Sequence, residues 1–312
     1  MSIMRDRRGR ERRALEGAIL ELFERRGFTE VEVPWIEPLG AVDRGFTEGI
    51  RQTSYRILDH SGEVLVLRPD FTAPIAKMAA TTLKSEPRPL RICYSGSVFR
   101  RGGPSPGGHK LYQAGVELIG SGEGEADAEV VTLAAECMQV ASLTEYRIVL
   151  GHAAIASVLL DLSPDRQKAA RALECRDLRA LEELGALTGL GDVICTRGPA
   201  SVLDKALGKV TDASVGSAIR RLKVLADALE AAGLGSRVKV DLGLVRDLGY
   251  YTGPVFEIYC PGLGTAVAGG GRYDGLVGVF GDAEPATGFA LEINKLLAVP
   301  VGTATVGLTG IH

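Results

Sequence analysis

No cysteine pair with metal or redox spacing, no apolar run of membrane length and no secretory leader occurs in the 312 residues. The five cysteines, Cys93, Cys137, Cys175, Cys195 and Cys260, are odd in number and scattered, with no CxxC or Cys/His pattern. Neither a zinc site nor a disulfide framework is indicated. With no leader and no membrane span, the expected compartment is a reducing cytoplasm. Aromatic residues make up only 5% of the chain, so the core has to be built from Ala, Val, Leu and Ile. A strong charge of either sign is missing as well, the formal net charge being −3. Phosphate-gripping proteins need a basic face, and the one dense cluster here is Arg5, Arg7, Arg8, Arg10, Arg12 and Arg13. It reads either as a solvated helix face, the commoner fate of a charge run, or as a polyanion contact. No Ser or Cys stands with His and a carboxylate in a nucleophilic array. No nucleophilic triad and no metal site are therefore read from the pattern, and no cofactor is expected.

The chain does contain 46% hydrophobic residues, enough for a sizeable core. Leu15, Ile19, Leu22 and Phe23 share one face of a helix over 10–26, closed by Gly27. A strand over 29–33 stops at Pro34. Residues 50–69 read as a hairpin. Strands over 90–99 and 110–119 follow, joined by a Gly/Pro-rich loop over 102–108. A helix at 125–141 and a strand at 146–150 come next. Residues 162–235 change to a mainly helical character, beginning at Ser163-Pro164, and read as an insertion. Strands over 238–245, 255–259 and 265–268 precede a last helix over 290–297. Clustered strands with helices segregated between them make the class α+β.

Four places can carry chemistry. Along the strand 110–119, Gln113, Gly115 and Glu117 share one face and Tyr112, Ala114, Val116 and Leu118 the other. An amide and a carboxylate flanking a glycine form a floor for a small ligand with a positive group, or a solvent-facing strand with a glycine bulge. Asp70 and Thr72 follow a strand and precede a helix, so they are helix caps or ligand groups. Tyr250 and Tyr251 cannot both point inward from a regular strand, which sends one hydroxyl toward a cleft. The run from Gly269 to Gly275 follows a strand and allows close backbone approach. His152 reads as a satisfied core or cap residue.

In order, Leu67-Arg-Pro-Asp70, Val98-Phe-Arg100, Tyr112-Gln-Ala-Gly-Val-Glu117, the segment from Tyr250 to Glu257 and Gly270-Gly-Arg-Tyr-Asp-Gly275 resemble the successive motifs of the histidyl-tRNA synthetase catalytic domain. The resemblance covers nearly the whole chain. It implies a class II synthetase-like antiparallel sheet flanked by helices, as one domain over 1–312 with the helical insertion at 162–235. It also implies a histidine pocket. Asp70 matches the acidic residue that receives the α-amino group, with Thr72 beside it. Gln113 and Glu117 match pocket residues, Tyr250 and Tyr251 residues near the imidazole. Arg100 closes the second motif, and Arg246 matches the arginine that meets the reacting carboxylate and phosphate.

The nucleotide half departs from the pattern. Gly102 stands where the second motif has a glutamate, Lys295 where the third has a phosphate-gripping arginine, and Glu292 where a glycine is usual. An ammonium does not reproduce the planar fork of arginine, and the absence of each charge-assisted hydrogen bond weakens binding by roughly 1.5–3 kcal/mol. No C-terminal anticodon-binding domain is expected. A kept amino-acid pocket beside a degenerate ATP site is similar to the regulatory subunits of ATP phosphoribosyltransferase, as is the run from Leu67 to Ala76. That resemblance implies a non-catalytic hetero-oligomer with the short-form catalytic subunit. The partner joins ATP to phosphoribosyl pyrophosphate at the start of histidine biosynthesis, with histidine as feedback ligand. It further implies self-association through residues 10–34 and no tRNA binding. A truncated synthetase forming histidyl-adenylate and a stand-alone histidine sensor are the alternatives.

Overall fold

The computed structural model describes residues 7–102, 109–185, 187, 190–246 and 250–299. Among these residues the strands are β1 (Thr29–Glu30), β2 (Ile36–Pro38), β3 (Arg56–Leu58), β4 (Val64–Leu67), β5 (Leu90–Phe99), β6 (Lys110–Ile119), β7 (Arg147–His152), β8 (Arg197–Gly198), β9 (Val238–Asp241), β10 (Pro254–Tyr259), β11 (Ala268–Arg272) and β12 (Ala286–Glu292). Nine form one sheet in the order β1-β5-β6-β12-β11-β10-β7-β9-β8, and β2-β4-β3 form a small second sheet. The large sheet is antiparallel except where β1 joins β5 and β9 joins β7. No helix among the described residues is long and apolar enough to cross a membrane.

The alternation along β6 divides the core. Ala114, Val116 and Leu118 pack with Ile19, Leu22 and Phe23 of the helix Arg7–Arg25 and with the helices Glu125–Val140 and Ala213–Ala231. Leu111 and Ile119 point the other way, to Phe71, Ile75, Tyr94 and Tyr273. Each fully buried Leu, Ile or Phe contributes about 1.5–3 kcal/mol. The strand is covered on both faces, which the solvent-facing reading of 110–119 did not allow. Gly115 pairs in register with Tyr94 and Ala290, and there is no bulge.

Several expected boundaries move. The strand at 29–33 shortens to two paired residues, because the chain leaves the edge of β5 for the small sheet after Pro34. The run from Gly269 does not follow a strand: Gly269, Gly270 and Gly271 are the strand β11 itself. A Cβ at Gly270 would overlap the Gly288 carbonyl and one at Gly271 the Pro254 carbonyl, so the missing side chains let three backbones close up. The helix expected over 290–297 is extended up to Glu292 and helical only over Ile293–Leu296. Pairing of β12 with both β6 and β11 overrides the local helix preference of Ala-Leu-Glu. The strand expected over 238–245 ends at Asp241, whose carboxylate accepts the Gly243 amide at 3.0 Å and turns the chain.

Ser163 ends a helix instead of starting one. It closes Ala153–Leu162, and Asp165 caps Arg166–Glu174 by accepting the Lys168 amide at 3.0 Å. His152 caps Ala153–Leu162 through Nδ1, 3.2 Å from the Ala154 amide. In the basic cluster, Arg12 pairs with Glu16 at 2.6 Å and lies 3.8 Å over the Tyr112 ring, Arg10 and Arg13 are exposed, and Arg5 lies outside the described residues.

Candidate functional site

A cavity of about 270 Å³ opens between β6, β10, β11, β12 and the start of the helix Thr72–Ala80. Asp70, Thr72, Arg100, Gln113, Glu117, Arg246, Tyr250, Tyr251, Glu292 and Lys295 all line it. Gly102 does not. It follows β5 in a left-handed turn (φ +80°), where a side chain would be strained.

At one end the polar groups converge on Glu117, which is 1% exposed. Thr72 Oγ1 donates to its Oε1 at 2.7 Å, and the Tyr273 hydroxyl donates to its Oε2. Burial pushes the Glu117 pKa up to about 8; the Tyr273 and Thr72 hydroxyls oppose this, and the charge of Asp70 adds to it. Asp70 Oδ1 accepts the Ala73 amide at 3.2 Å, so the residue caps the helix start while lining the cavity. The two readings of Asp70 are compatible. Gln113, two pleats from Glu117 on the same face, is buried beside them. The gap above Gly115 is not open, contrary to expectation: a Cβ there would lie 2.5 Å from the Tyr94 hydroxyl oxygen.

The aromatic wall is formed by Tyr250, edge-on to Tyr251 at 5.0 Å and tilted against Tyr273 at 5.3 Å. Burial, then the Glu117 charge, holds the Tyr250, Tyr273 and Tyr94 hydroxyls well above their ordinary range. They act here as neutral donors and acceptors.

The cations of the lining are already engaged. Arg246 Nη1 meets Glu257 Oε1 at 2.8 Å, and Tyr259 donates to the same carboxylate. Lys295 Nζ lies 2.9 Å from Glu292 Oε1 and 2.9 Å from the Ala266 carbonyl. Arg100 donates from Nε to the Pro69 carbonyl at 2.6 Å. Chemically, the first end accepts an ammonium or a ring N–H, while the second presents ion pairs an incoming anion would have to break. No group of three or more His, Cys, Asp or Glu among the described residues could hold a metal ion.

Sequence reasoning left Phe71, Tyr94, Glu257, Tyr273 and Phe289 without a role, although all line the cavity. Tyr273 and Glu257 stood inside the quoted motifs. The glycine at 115 was the signal for Tyr94, its cross-strand partner.

The family model for histidyl-tRNA synthetase matches residues 4–296. The ATP phosphoribosyltransferase regulatory subunit of Moorella thermoacetica is 40% identical over 311 residues, covering 96% of this chain and 80% of that protein. Its counterpart in Symbiobacterium thermophilum is 42% identical over 298 residues, covering 91% and 75%. A crystal structure of an ATP phosphoribosyltransferase regulatory subunit/histidyl-tRNA synthetase from Bacillus halodurans superposes with a TM-score of 0.85 at 31% identity, over 97% of this chain and 82% of that one. The chain belongs to the ATP phosphoribosyltransferase regulatory subunit family, on a histidyl-tRNA-synthetase-like class II fold.

Proposed function

We propose that this chain is the regulatory, non-catalytic subunit of a cytoplasmic ATP phosphoribosyltransferase and that its cavity holds free histidine. One observation carries the reading: the amino-acid end of the cavity offers Asp70, Thr72, Gln113 and Glu117, while Lys295 at the other end is neutralised by Glu292. Arg100 and Arg246 are the groups for the histidine carboxylate, Tyr250 and Tyr251 those beside the imidazole. Feedback requires histidine to bind one state of the complex more tightly than another, since equal affinity shifts nothing. The test is co-purification with a short-form phosphoribosyltransferase and activation of it. A partner whose activity is unaffected by this chain refutes the proposal.

A second reading, residual histidyl-adenylate formation, is favoured by Arg246 lining the cavity. Histidine-dependent ATP–pyrophosphate exchange decides it; no exchange is expected.

Self-association is part of the proposal, with a change of surface. Ile19, Leu22 and Phe23 of the segment 10–34 face the core. Trp35, Ile36, Ile57, Leu58 and Val64, by contrast, are exposed large hydrophobics on or beside the small sheet. A second copy would bury that patch.

A further inference from the structure

Arg68 joins β4 to the helix Thr72–Ala80 and is 5% exposed. Among the described residues its guanidinium hydrogen-bonds to carbonyls: Nε and Nη2 donate to Ser97 O at 3.1 and 2.7 Å, and Nη1 donates to Val33 O. Burial lowers its pKa to about 10, with the charge of Glu32 opposing, so the group stays charged at neutral pH. A buried cation held by carbonyl dipoles is costly, and here it organises aromatic rings. The guanidinium lies 4.0 Å from the Phe71 ring centroid, and Phe71 stacks on Tyr94 at 4.2 Å and 15°. Two groups that close cannot share one face, so Phe71 is held between them. Phe71 and Tyr94 both line the cavity, and Tyr94 fills the space above Gly115.

The other side of Arg68 reaches the small sheet. Its backbone amide donates to the Trp35 carbonyl at 2.8 Å, and its carbonyl accepts the Phe99 amide at 2.9 Å. Trp35 and Phe99 rings are tilted at 6.2 Å. Gly96 closes the arrangement from below: a Cβ there would stand 3.0 Å from Arg68 Nη2 and 3.2 Å from Phe71 Cζ.

We infer that Arg68 is a positioning residue coupling the Phe71–Tyr94 wall of the cavity to Trp35 on the exposed apolar sheet, so that a ligand in the cavity alters the surroundings of Trp35. The inference rests on the reading of the cavity as a histidine site. By linkage, a partner on the sheet whose affinity the ligand changes alters the ligand's affinity by the same factor.

The chain has one tryptophan, so emission reports on Trp35 alone. The full chain is titrated with L-histidine, following the heat of binding and Trp35 emission in parallel, for wild type, Arg68→Lys and Gly96→Ala. Wild type is expected to give both signals with one midpoint. Arg68→Lys keeps the charge but loses the fork; Gly96→Ala keeps Arg68, crowds it and Phe71, and strains a backbone at φ +158°. Both are expected to bind about tenfold or more weakly, the worth of roughly one charge-assisted hydrogen bond, and to lose most of the emission response. Should the variants fail to fold, the wild-type titration decides the coupling. Heat without an emission change in wild type overturns the coupling and leaves the histidine reading intact. No heat overturns the histidine reading and this inference with it. Folded variants with wild-type affinity and emission response overturn the role of Arg68.

Discussion

Replacing Glu117 with glutamine should change the pH dependence of stability in one direction only. The carboxyl is buried, accepts two hydroxyls and is pushed from 4.5 to about 8. In the unfolded chain it ionises at its ordinary value. Between those two values the folded protein holds a proton that the unfolded chain has released, so stability falls as pH rises. The contribution is complete below 4.5 and is lost as pH climbs through about 8. One pKa unit is worth about 1.36 kcal/mol, so wild type gives up about 3 kcal/mol from this group by pH 7. Glutamine has no charge to lose, and the Thr72 and Tyr273 hydroxyls can rotate to suit its amide. Urea midpoints of both proteins from pH 5 to 9 at fixed ionic strength isolate the effect, because other titrations are common to both. The advantage of Glu117→Gln over wild type should grow by about 1.4 kcal/mol per pH unit and level off above about 8. A difference that stays constant from pH 5 to 8 refutes the account of a protonated, buried carboxyl.

His152 should act at the acid end. Burial, with Arg221 adding, lowers its pKa from 6.5 to about 4. Its stability contribution is therefore present above 6.5 and lost as pH falls toward about 4. His152→Asn keeps an acceptor for the Ala154 amide and should remove about 3 kcal/mol of acid sensitivity in urea melts across that window. Gly288→Ala places a Cβ against the Glu117 carboxylate and the Val116 carbonyl. It should cost about 1–3 kcal/mol in a thermal melt and abolish histidine binding by calorimetry. Leu58→Lys, at a side chain 72% exposed, should shift sedimentation toward monomer while leaving the urea midpoint within about 0.5 kcal/mol. An unchanged sedimentation coefficient rules out the small sheet as the self-association surface.

Features written in a single segment were legible in the sequence. The stripe Leu15, Ile19, Leu22, Phe23 and the alternation along β6 came from periodicity alone; the stripe and the even face of β6 pack as read, while the odd face, read as open or solvent-facing, is buried. Features made by pairing distant segments were not. Three consecutive glycines look the same in a turn and in a strand. Only the approach of the Gly288 and Pro254 carbonyls makes Gly270 and Gly271 strand residues. Ala290 and Leu291 prefer helix locally and are extended because β6 and β11 hold them on either side. Glu257 gains its meaning from Arg246, and Tyr94 from the absent side chain of Gly115. Of the residues carried over by resemblance, Gln113, Glu117 and Glu292 meet because β6 and β12 are paired, and Asp70, Thr72, Arg100, Arg246, Tyr250, Tyr251 and Lys295 reach the same cavity from segments outside those strands. Gly102, read as a degenerate nucleotide-site position, lies in a turn outside the cavity lining.

The two ends of the cavity differ in what a ligand must displace, and on the proposed reading this would let amino-acid binding outlast nucleotide binding. An ammonium arriving at Asp70 and Glu117 meets carboxyl groups whose hydrogen bonds come from N–H and O–H donors, and it offers them a positive charge. A phosphate arriving at Lys295 must first separate it from Glu292 and the Ala266 carbonyl, then accept an ammonium in place of a fork. Removing Glu292 alone would therefore leave Lys295 hydrogen-bonded to backbone and still unable to grip two phosphate oxygens in a plane. The effect is cooperative: the acid that neutralises and the lysine that is neutralised act as a pair. Glu292→Gly or Lys295→Arg made singly should leave triphosphate binding as weak as in the parent chain, and calorimetric titration with ATP checks each.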